Sequence, residues 1–153
     1  MTSTGEPPLL TQEGRVLLEE RARRLEEETI PALVEAIERE DDEMGPRLEQ
    51  DLALRELEQL KYVLETAGNV YDTPEDPGVV QVGDWVTIRL DDGEQVRHLI
   101  VDPAEAGLDT NRISSDSPLA AAILGRGLGD EVTIDAPSGP YRATIVEAKR
   151  SGD

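Results

Sequence analysis

The sequence has no cysteine and no phenylalanine, and it has a single histidine and a single tryptophan among 153 residues. Without cysteine, the chain can form neither a disulfide scaffold nor a thiolate metal site. The lone histidine, His98, excludes a zinc site built from several imidazoles. Because aromatic side chains are so scarce, we expect any hydrophobic core to be aliphatic.

Basic residues are few compared with acidic ones, and long apolar segments are absent from the sequence. There are 15 lysines and arginines against 34 aspartates and glutamates, a formal net charge of −19. Sequence-independent nucleic-acid binding needs clustered cations, so we expect no independent nucleic-acid binding. The acidic balance fits either a basic protein partner or simple solubility. No apolar run approaches the roughly 18 residues of a membrane span, and no secretory signal pattern opens the chain. A cytoplasmic protein without membrane contact is therefore expected.

The N-terminal part shows the spacing of two paired helices. After a predicted disordered leader (residues 1–9), Thr11 is expected to cap a first helix. Its apolar residues recur at spacings of four and three, which is typical of a coiled coil. One predicted seam is Leu18, Ala22, Leu25, Thr29 and Ala32, and a neighbouring one is Ile30, Val34 and Ile37.

Two breaks shape this helical region. Pro31 lies between the two registers and should bend the first helix, because proline removes a backbone hydrogen bond. Gly45-Pro46 indicates a turn, after which a second helix is predicted over residues 46–67, with Ala53, Leu57, Leu60, Leu64 and Ala67 on its seam. Residues 10–67 thus predict an antiparallel coiled-coil hairpin.

The composition changes after a predicted linker at residues 68–78. Strands are expected over 79–90 and 95–101, on either side of the turn Asp91-Asp92-Gly93. A short strand at 112–114, a helix from about 117 to 124 and a final hairpin of strands 131–135 and 141–149 complete the pattern. Residues 79–150 therefore predict an α+β domain, an antiparallel sheet with one short helix.

Several short motifs occur at characteristic places in the chain. They are the opening Leu10-Thr11-Gln12-Glu13-Gly14, the proline at position 31, Ser117-Pro118, Ala122-Ile123-Leu124-Gly125 and Gly129-Asp130. Together these motifs resemble those of one family, the Gre transcript-cleavage factors of bacterial RNA polymerase. The resemblance implies that the C-terminal domain is FKBP-like and docks at the rim of the polymerase secondary channel. It also implies that the coiled coil enters the channel, where two tip carboxylates help to hold the second catalytic Mg²⁺.

The tip of the hairpin departs from the family pattern. Asp41-Asp42-Glu43 is contiguous, whereas Gre cleavage factors have an Asp-x-x-Glu-Asn motif there. The hairpin is also shorter by about nine residues, or roughly 7 Å of reach at 1.5 Å per residue. Three interpretations remain: a solvated turn, carboxylates that help to bind the polymerase Mg²⁺, or carboxylates that block or perturb that site. Asp41, Asp42 and Glu43 are candidate ligands only for the polymerase Mg²⁺, with no intrinsic cofactor and no catalytic residue expected.

Asp116, Ser117 and Pro118 form the second candidate site. These residue types are fully explained by a helix N-cap followed by proline in the first turn. The resemblance adds a contact with RNA polymerase at this edge. The two interpretations are compatible.

The sequence therefore predicts a monomeric, non-enzymatic factor of the Gre type. It would bind the polymerase secondary channel and modulate or inhibit transcription without efficient cleavage. One alternative is a true cleavage factor that rescues backtracked polymerase. Others are a stand-alone FKBP-like peptide-binding or chaperone module with Trp85 and Tyr141 in its pocket, and an adaptor that pairs through an exposed stripe containing Leu17, Leu33 and Leu54.

Overall fold

The computed structural model describes residues 8–39 and 44–151, and the chain divides into two compact units. One is helical and comprises residues 15–67. The other contains the main sheet and is formed by the N-terminal segment up to Gly14 together with the chain from Gly68 onwards. The sheet unit is thus discontinuous in sequence.

The helical unit is the predicted hairpin. Its first arm consists of α1 (Gln12–Arg24), a π-helical turn (Leu25–Thr29) and α2 (Ile30–Arg39), and its second arm is α3 (Met44–Thr66). Thr11 caps α1 as predicted, since its Oγ1 accepts a hydrogen bond from the Gly14 amide at 2.9 Å. The second arm begins two residues earlier than predicted, so Gly45-Pro46 lies in its first turn. A proline there loses no intrahelical hydrogen bond.

The seam of the first arm changes register before Pro31. Leu18 and Leu25 are buried as predicted, but Ala32 and Val34 are exposed. A proline ring crowds the carbonyl four residues earlier in a regular α-helix. The wider π turn, closed by the Ile30 amide and the Leu25 carbonyl, precedes this proline and inserts one extra residue. Beyond the turn, the half-buried apolar positions are Ile30, Leu33, Ala36 and Ile37.

The second arm supplies the other side of the seam. Its buried residues are Ala53, Leu57, Leu60 and Val63, whereas the predicted Leu64 is half-buried. Arg15 donates to the carbonyls of Leu64 and Ala67, at 3.2 and 3.0 Å, and so satisfies acceptors at the end of α3. The arms are also joined by exposed ion pairs of Arg21 with Glu56 and of Lys61 with Glu26. Exposed pairs of this kind add little, so burial in the seam dominates the stability of the hairpin.

The main sheet has five strands in the order β5-β4-β3-β7-β6. These are β3 (Asp84–Leu90), β4 (Gln95–Val101), β5 (Arg112–Ser114), β6 (Glu131–Ala136) and β7 (Gly139–Arg150). The turn between β3 and β4 is the predicted one, with Gly93 at a φ of 89°. The expectation of a wholly antiparallel sheet is wrong at one edge, because β5 pairs with β4 in parallel. The loop at residues 102–111 lets the chain turn back, so that β5 lies beside the last three residues of β4, with Arg112 opposite Leu99.

The core of the sheet unit is aliphatic, as the composition predicts. The short helix α4 (Pro118–Ile123) packs on the sheet through Ala120 and Ile123. These two residues belong to one buried cluster with Val80, Val86, Ile88, Ile100, Val132, Ile134, Ala143 and Ile145. Aliphatic burial of this kind stabilises by about 25 cal/mol per Å² of apolar surface.

The predicted leader and linker differ from what the structure shows. Strand β1 (Leu9–Leu10), partly within the predicted leader, pairs in parallel with β2 (Gly68–Asn69), at the start of the predicted linker. A 3₁₀ turn (Val70–Asp72) follows. Leu10 and Val70 are buried, so apolar burial draws both segments into the sheet unit. The remaining leader residues, 1–7, lie outside the described residues.

Within the described ranges, no helix combines the length and the apolar character needed to cross a bilayer.

Candidate functional site

The acidic residues at the end of the hairpin, Asp41, Asp42 and Glu43, lie outside the described residues. The helices on either side end at Arg39 and begin at Met44. In residues 8–39 and 44–151, no group of three or more histidine, aspartate or glutamate side chains is arranged to hold a metal ion. The predicted ligand role of the three tip carboxylates stays a prediction.

Asp116, Ser117 and Pro118 lie at the junction of β5 and α4. Ser117 is the N-cap of α4, because its Oγ accepts a hydrogen bond from the Ala120 amide at 3.2 Å and its backbone is extended. Pro118 occupies the first turn, where its fixed φ favours helix initiation. The capping interpretation of these residues is therefore confirmed.

The same junction presents two side chains to solvent. Asp116 and Pro118 are exposed, whereas Ser117 is half-buried. Asp116 accepts a hydrogen bond from the Ser114 hydroxyl, and the Ser117 amide donates to the Ser114 carbonyl at 2.9 Å. These bonds fix the orientation of an exposed carboxylate beside a rigid proline. Chemically, the edge presents an oriented carboxylate that accepts from the Ser114 hydroxyl.

A buried network that the sequence did not predict lies next to β5. The side chain of Glu105 is fully buried, and its carboxylate accepts two hydrogen bonds from Thr11, one from the amide and one from the hydroxyl, each at 2.7 Å. Arg112 at the start of β5 approaches the same carboxylate, with 3.5 Å between Nε and Oε1. The network thus joins the N-terminal segment to the loop before β5.

Arg112 contacts all three carboxylates of this network. Besides Glu105, it donates to Glu13 at 2.5 Å and to Asp109. Burial lowers the pKa of Arg112, but the hydrogen bond with Glu13 and the attraction of Asp109, Glu13 and Glu105 outweigh burial and raise it. For Glu105, burial raises the pKa above its ordinary value, against the opposing effects of Thr11 and Arg112.

Gly14 completes the network by leaving room for it. A Cβ atom at this position would lie 1.9 Å from Oε1 of Glu105. Three residues of the opening Leu10-Thr11-Gln12-Glu13-Gly14 thus have a role in this network, since Thr11 binds Glu105, Glu13 binds Arg112 and Gly14 leaves room for the carboxylate. Glu105 is 94 residues from Thr11 in the chain. The signal in the sequence was that Glu105-Ala106, like the opening at residues 10–14, resembles the Gre pattern.

Trp85 and Tyr141, which were expected to line a peptide pocket in the chaperone alternative, have different surroundings. The guanidinium carbon of Arg97 lies 4.3 Å from the centroid of the Trp85 ring. Tyr141 borders a shallow depression that is otherwise lined by Leu90, Asp91, Asp92 and Arg142. The lining of that depression does not include Trp85, so this depression gives the chaperone alternative no support.

The helical hairpin and the mixed sheet define an α+β protein of two units. Residues 74–150 match the family model described as "Transcription elongation factor, GreA/GreB, C-term". The chain is 36% identical to transcription elongation factor GreB of Pseudomonas aeruginosa over 94% of its length and 91% of the relative's. It is 35% identical to GreA of Geobacillus kaustophilus over 92% of its length and 95% of the relative's.

Among solved structures, Gfh1, the GreA factor homolog 1 of Thermus thermophilus, is 26% identical to the chain and has a TM-score of 0.42. The match covers 94% of this chain and 99% of the Gfh1 chain. The sequence relatives alone decide the family. The chain belongs to the GreA/GreB family of transcription elongation factors.

Proposed function

We propose that this protein binds bacterial RNA polymerase at its secondary channel and modulates or inhibits transcription without efficient transcript cleavage. In this proposal, the sheet unit has an FKBP-like fold and docks at the channel rim through Asp116, Ser117 and Pro118. The helical hairpin enters the channel, and the protein acts as a monomer in the cytoplasm. The polymerase catalyses every chemical step.

The observation that carries the proposal is the sequence at the end of the hairpin. Asp41-Asp42-Glu43 is contiguous, and only four residues separate Arg39 at the end of α2 from Met44 at the start of α3. Cleavage requires carboxylates that place a second Mg²⁺ against the attacking and leaving oxygens. Metal sites tolerate errors of only about 0.2 Å in ligand distance. Three adjacent carboxylates on a short connection are better suited to blocking the polymerase active site than to placing a second Mg²⁺ accurately.

Mg²⁺ is the cation that these residues would meet. Three adjacent carboxylates supply the hard oxygen ligands that Mg²⁺ prefers. Asp41, Asp42 and Glu43 are therefore proposed to bind the Mg²⁺ of the polymerase active site. By occupying its coordination positions, they would hold the ion away from its catalytic place. The chain itself needs no intrinsic cofactor for this role.

Stimulated cleavage is the second candidate function. It is favoured by the names of the relatives, which are transcription elongation factors GreB and GreA at 36% and 35% identity. This candidate gives the three carboxylates a positive role in holding the second Mg²⁺.

The two candidates separate in a reconstituted, backtracked elongation complex. Purified protein is added, and 3′ cleavage of labelled RNA and run-off synthesis are both measured. We expect reduced synthesis without added cleavage, and relief of this inhibition by Asp42→Ala or Glu43→Ala. Cleavage stimulated by the wild-type protein and abolished by the same substitutions would establish the second candidate instead. An absence of polymerase binding would refute both.

A further inference from the structure

The exposed basic side chains of the sheet unit are concentrated on one side of the main sheet. Among the described residues of this unit, the exposed arginines and lysines are Arg89, Arg97, Arg126, Arg142 and Lys149. All of them except Arg126 are on β3, β4 or β7, where they alternate with the core residues that face α4. Because successive side chains of a strand point to opposite faces, these residues lie on the side of the sheet away from α4. We call this side the outer face.

Trp85 and Arg97 form the centre of the outer face. Trp85 on β3 is half-buried and lies between Leu99 on β4 and Lys149 on β7. The guanidinium carbon of the exposed Arg97 lies 4.3 Å from the centroid of the Trp85 ring. A cation over an aromatic ring is attracted by the ring quadrupole. The ring therefore orients a guanidinium group at the surface of the sheet.

Most cations of the outer face are not neutralised by an ion pair. Arg142 is paired with Glu131 at 3.4 Å. The other cations make no ion pair with another described residue, and they are Arg89, Arg97 and Lys149. The acidic side chain among them is Glu147, which lies opposite Thr87 on the same face. Three positive charges and one negative charge leave +2 there, in a chain with a net charge of −19.

Further acidic side chains lie beyond both ends of β3. The turn before β4 contains Asp91, Asp92 and Glu94. Asp91 is six residues, or about 20 Å along the strand, from Trp85. At the other end, Glu75 and Asp76 line a separate depression that reaches Val82, about 10 Å from Trp85. The screening length at physiological salt is about 8 Å, so these carboxylates act only weakly on the centre of the outer face.

The acidic side chains at the two edges of the sheet are distant or already bound. Asp135 is on β6, three strands away from Arg97 and therefore about 14 Å from it. At the β5 edge, the exposed carboxylates of Glu13 and Asp109 both bind Arg112. At the centre of the outer face, positive side chains therefore outnumber negative ones.

We propose that the outer face binds single-stranded RNA. An unpaired base stacks on the guanidinium of Arg97, and Arg89 and Lys149, in the rows of the sheet on either side of Arg97, bind phosphate groups. Proteins that read single-stranded RNA hold unpaired bases in this way, on aromatic rings or on arginine planes. An acidic protein segment would use the positive charges but would not need a planar group supported by tryptophan. RNA therefore fits the arrangement better.

This inference concerns a different surface from that of the proposed function. The composition of the whole chain predicts no independent nucleic-acid binding, because acidic residues outnumber basic ones. The arrangement of side chains on the outer face revises that expectation for one side of the sheet. RNA is present wherever a transcription elongation factor acts. Because the inference uses neither the tip carboxylates nor the edge at Asp116, it holds or fails independently of the proposed function.

The test is binding of the full-length protein to a fluorescein-labelled, unstructured RNA of about 12 nucleotides, within the usual size of a single-strand site. Fluorescence anisotropy is measured between about 50 and 200 mM salt, where phosphate contacts have a large effect on affinity. R89Q, R97Q and K149Q each remove one positive charge from the outer face. The matched control, R126Q, removes one exposed positive charge of the same unit from outside this face. R97K keeps the charge but loses the planar guanidinium, and circular dichroism checks that all variants fold alike.

For three phosphate contacts, the logarithm of the association constant should fall with the logarithm of the salt concentration with a slope of about −2. R89Q and K149Q should bind about fivefold more weakly at about 0.1 M salt, with a slope that is shallower by about 0.7. R97Q should bind about twentyfold or more weakly, because it also loses the stacked base. R97K should lose about fivefold with an unchanged slope, and R126Q less than twofold.

Two results would overturn the inference and leave the proposed function standing: no binding of RNA by the wild type, or equal weakening by R126Q and the outer-face variants. Wild-type affinity of R97K would show attraction by charge alone, which also overturns the assignment to RNA. Poly-L-glutamate that displaces the labelled RNA as effectively as unlabelled RNA would assign the outer face to an acidic protein partner instead.

Discussion

At the scale of single residues, the Glu105 carboxylate leaves no room for a side chain at Gly14. In a helix, alanine is more favourable than glycine by about 1 kcal/mol. At Gly14, however, the added methyl group would meet the buried carboxylate of Glu105 at 1.9 Å. Glu105 cannot move away without losing its two hydrogen bonds to Thr11. We therefore predict that Gly14→Ala lowers the free energy of unfolding by about 1–3 kcal/mol, the usual cost of overpacking.

Urea unfolding followed by the fluorescence of Trp85, the only tryptophan, measures this change in the sheet unit. Gly45→Ala is the matched control, since a Cβ atom at Gly45 has nothing within 4 Å. It should leave the free energy of unfolding unchanged or slightly higher. Equal stability of Gly14→Ala and wild type would contradict the packing argument.

The buried carboxylate of Glu105 also predicts a dependence of stability on pH. Burial raises its pKa in the folded protein above the ordinary value of 4.5, so the folded state binds this proton more tightly than the unfolded chain. The stabilisation from this residue is complete below the ordinary value and is lost as the pH rises through the raised pKa. The free energy of unfolding of wild type minus that of Glu105→Gln should therefore decrease as the pH rises from the ordinary value of 4.5 through the raised pKa.

Urea unfolding of both proteins as the pH is raised tests the prediction, because carboxylates that do not contact Arg112 are common to the two proteins and cancel in the difference. A difference that stays constant with pH, or that increases, would show that Thr11 and Arg112 outweigh burial in the folded protein.

At the scale of secondary-structure elements, the seam of the hairpin depends on few side chains. Leu57 is buried between the arms, whereas Leu54, one turn earlier on the same helix, is 45% exposed. We predict that Leu57→Ala costs about 2–3 kcal/mol, the lower part of the range for buried leucines, because a two-helix seam can partly collapse. Leu54→Ala should cost less than about 0.5 kcal/mol. Thermal unfolding followed by circular dichroism at 222 nm compares them, and similar losses would contradict the observed seam.

The elements also show which features could be predicted from sequence. The spacing of Ala53, Leu57 and Leu60 predicts the seam of α3, and Asp92-Gly93 predicts the turn between β3 and β4, since both are local patterns. The predicted register of α2 was wrong at Ala32 and Val34. Pro31 predicts an irregularity in the helix, but not the π turn that inserts a residue and shifts the buried face. The Glu105 network was missed for a different reason. Its partners are far apart in sequence, and a glutamate in a loop gives no local sign that it will be buried.

At the scale of the whole molecule, the proposed function separates docking from the effect on transcription. An Asp116→Ala/Pro118→Ala variant should bind RNA polymerase about tenfold or more weakly, because it removes an oriented carboxylate and a rigid contact while Ser117 still caps α4. A variant with Asp41, Asp42 and Glu43 changed to Ala, Ala and Gln should bind with nearly normal affinity but no longer inhibit synthesis.

Affinity measurements and run-off transcription with the same protein preparations test this separation. Loss of affinity in the tip variant, or full inhibition by the Asp116→Ala/Pro118→Ala variant at low protein concentration, would contradict it. Ser117→Ala is a useful comparison, since it removes the cap of α4 and should lower stability by about 1 kcal/mol.

The pairing of β1 with β2 has a consequence for how such a protein can be altered and can evolve. Leu9 is opposite Gly68 in a parallel ladder, so the chain leaves the sheet unit and returns to it along neighbouring strands. The helical hairpin is thus an insertion between two adjacent anchor points. We therefore expect that another hairpin, or a short connector, can replace it while the sheet unit keeps the β1–β2 ladder and its own core. The same sheet unit could then carry helical hairpins of different lengths.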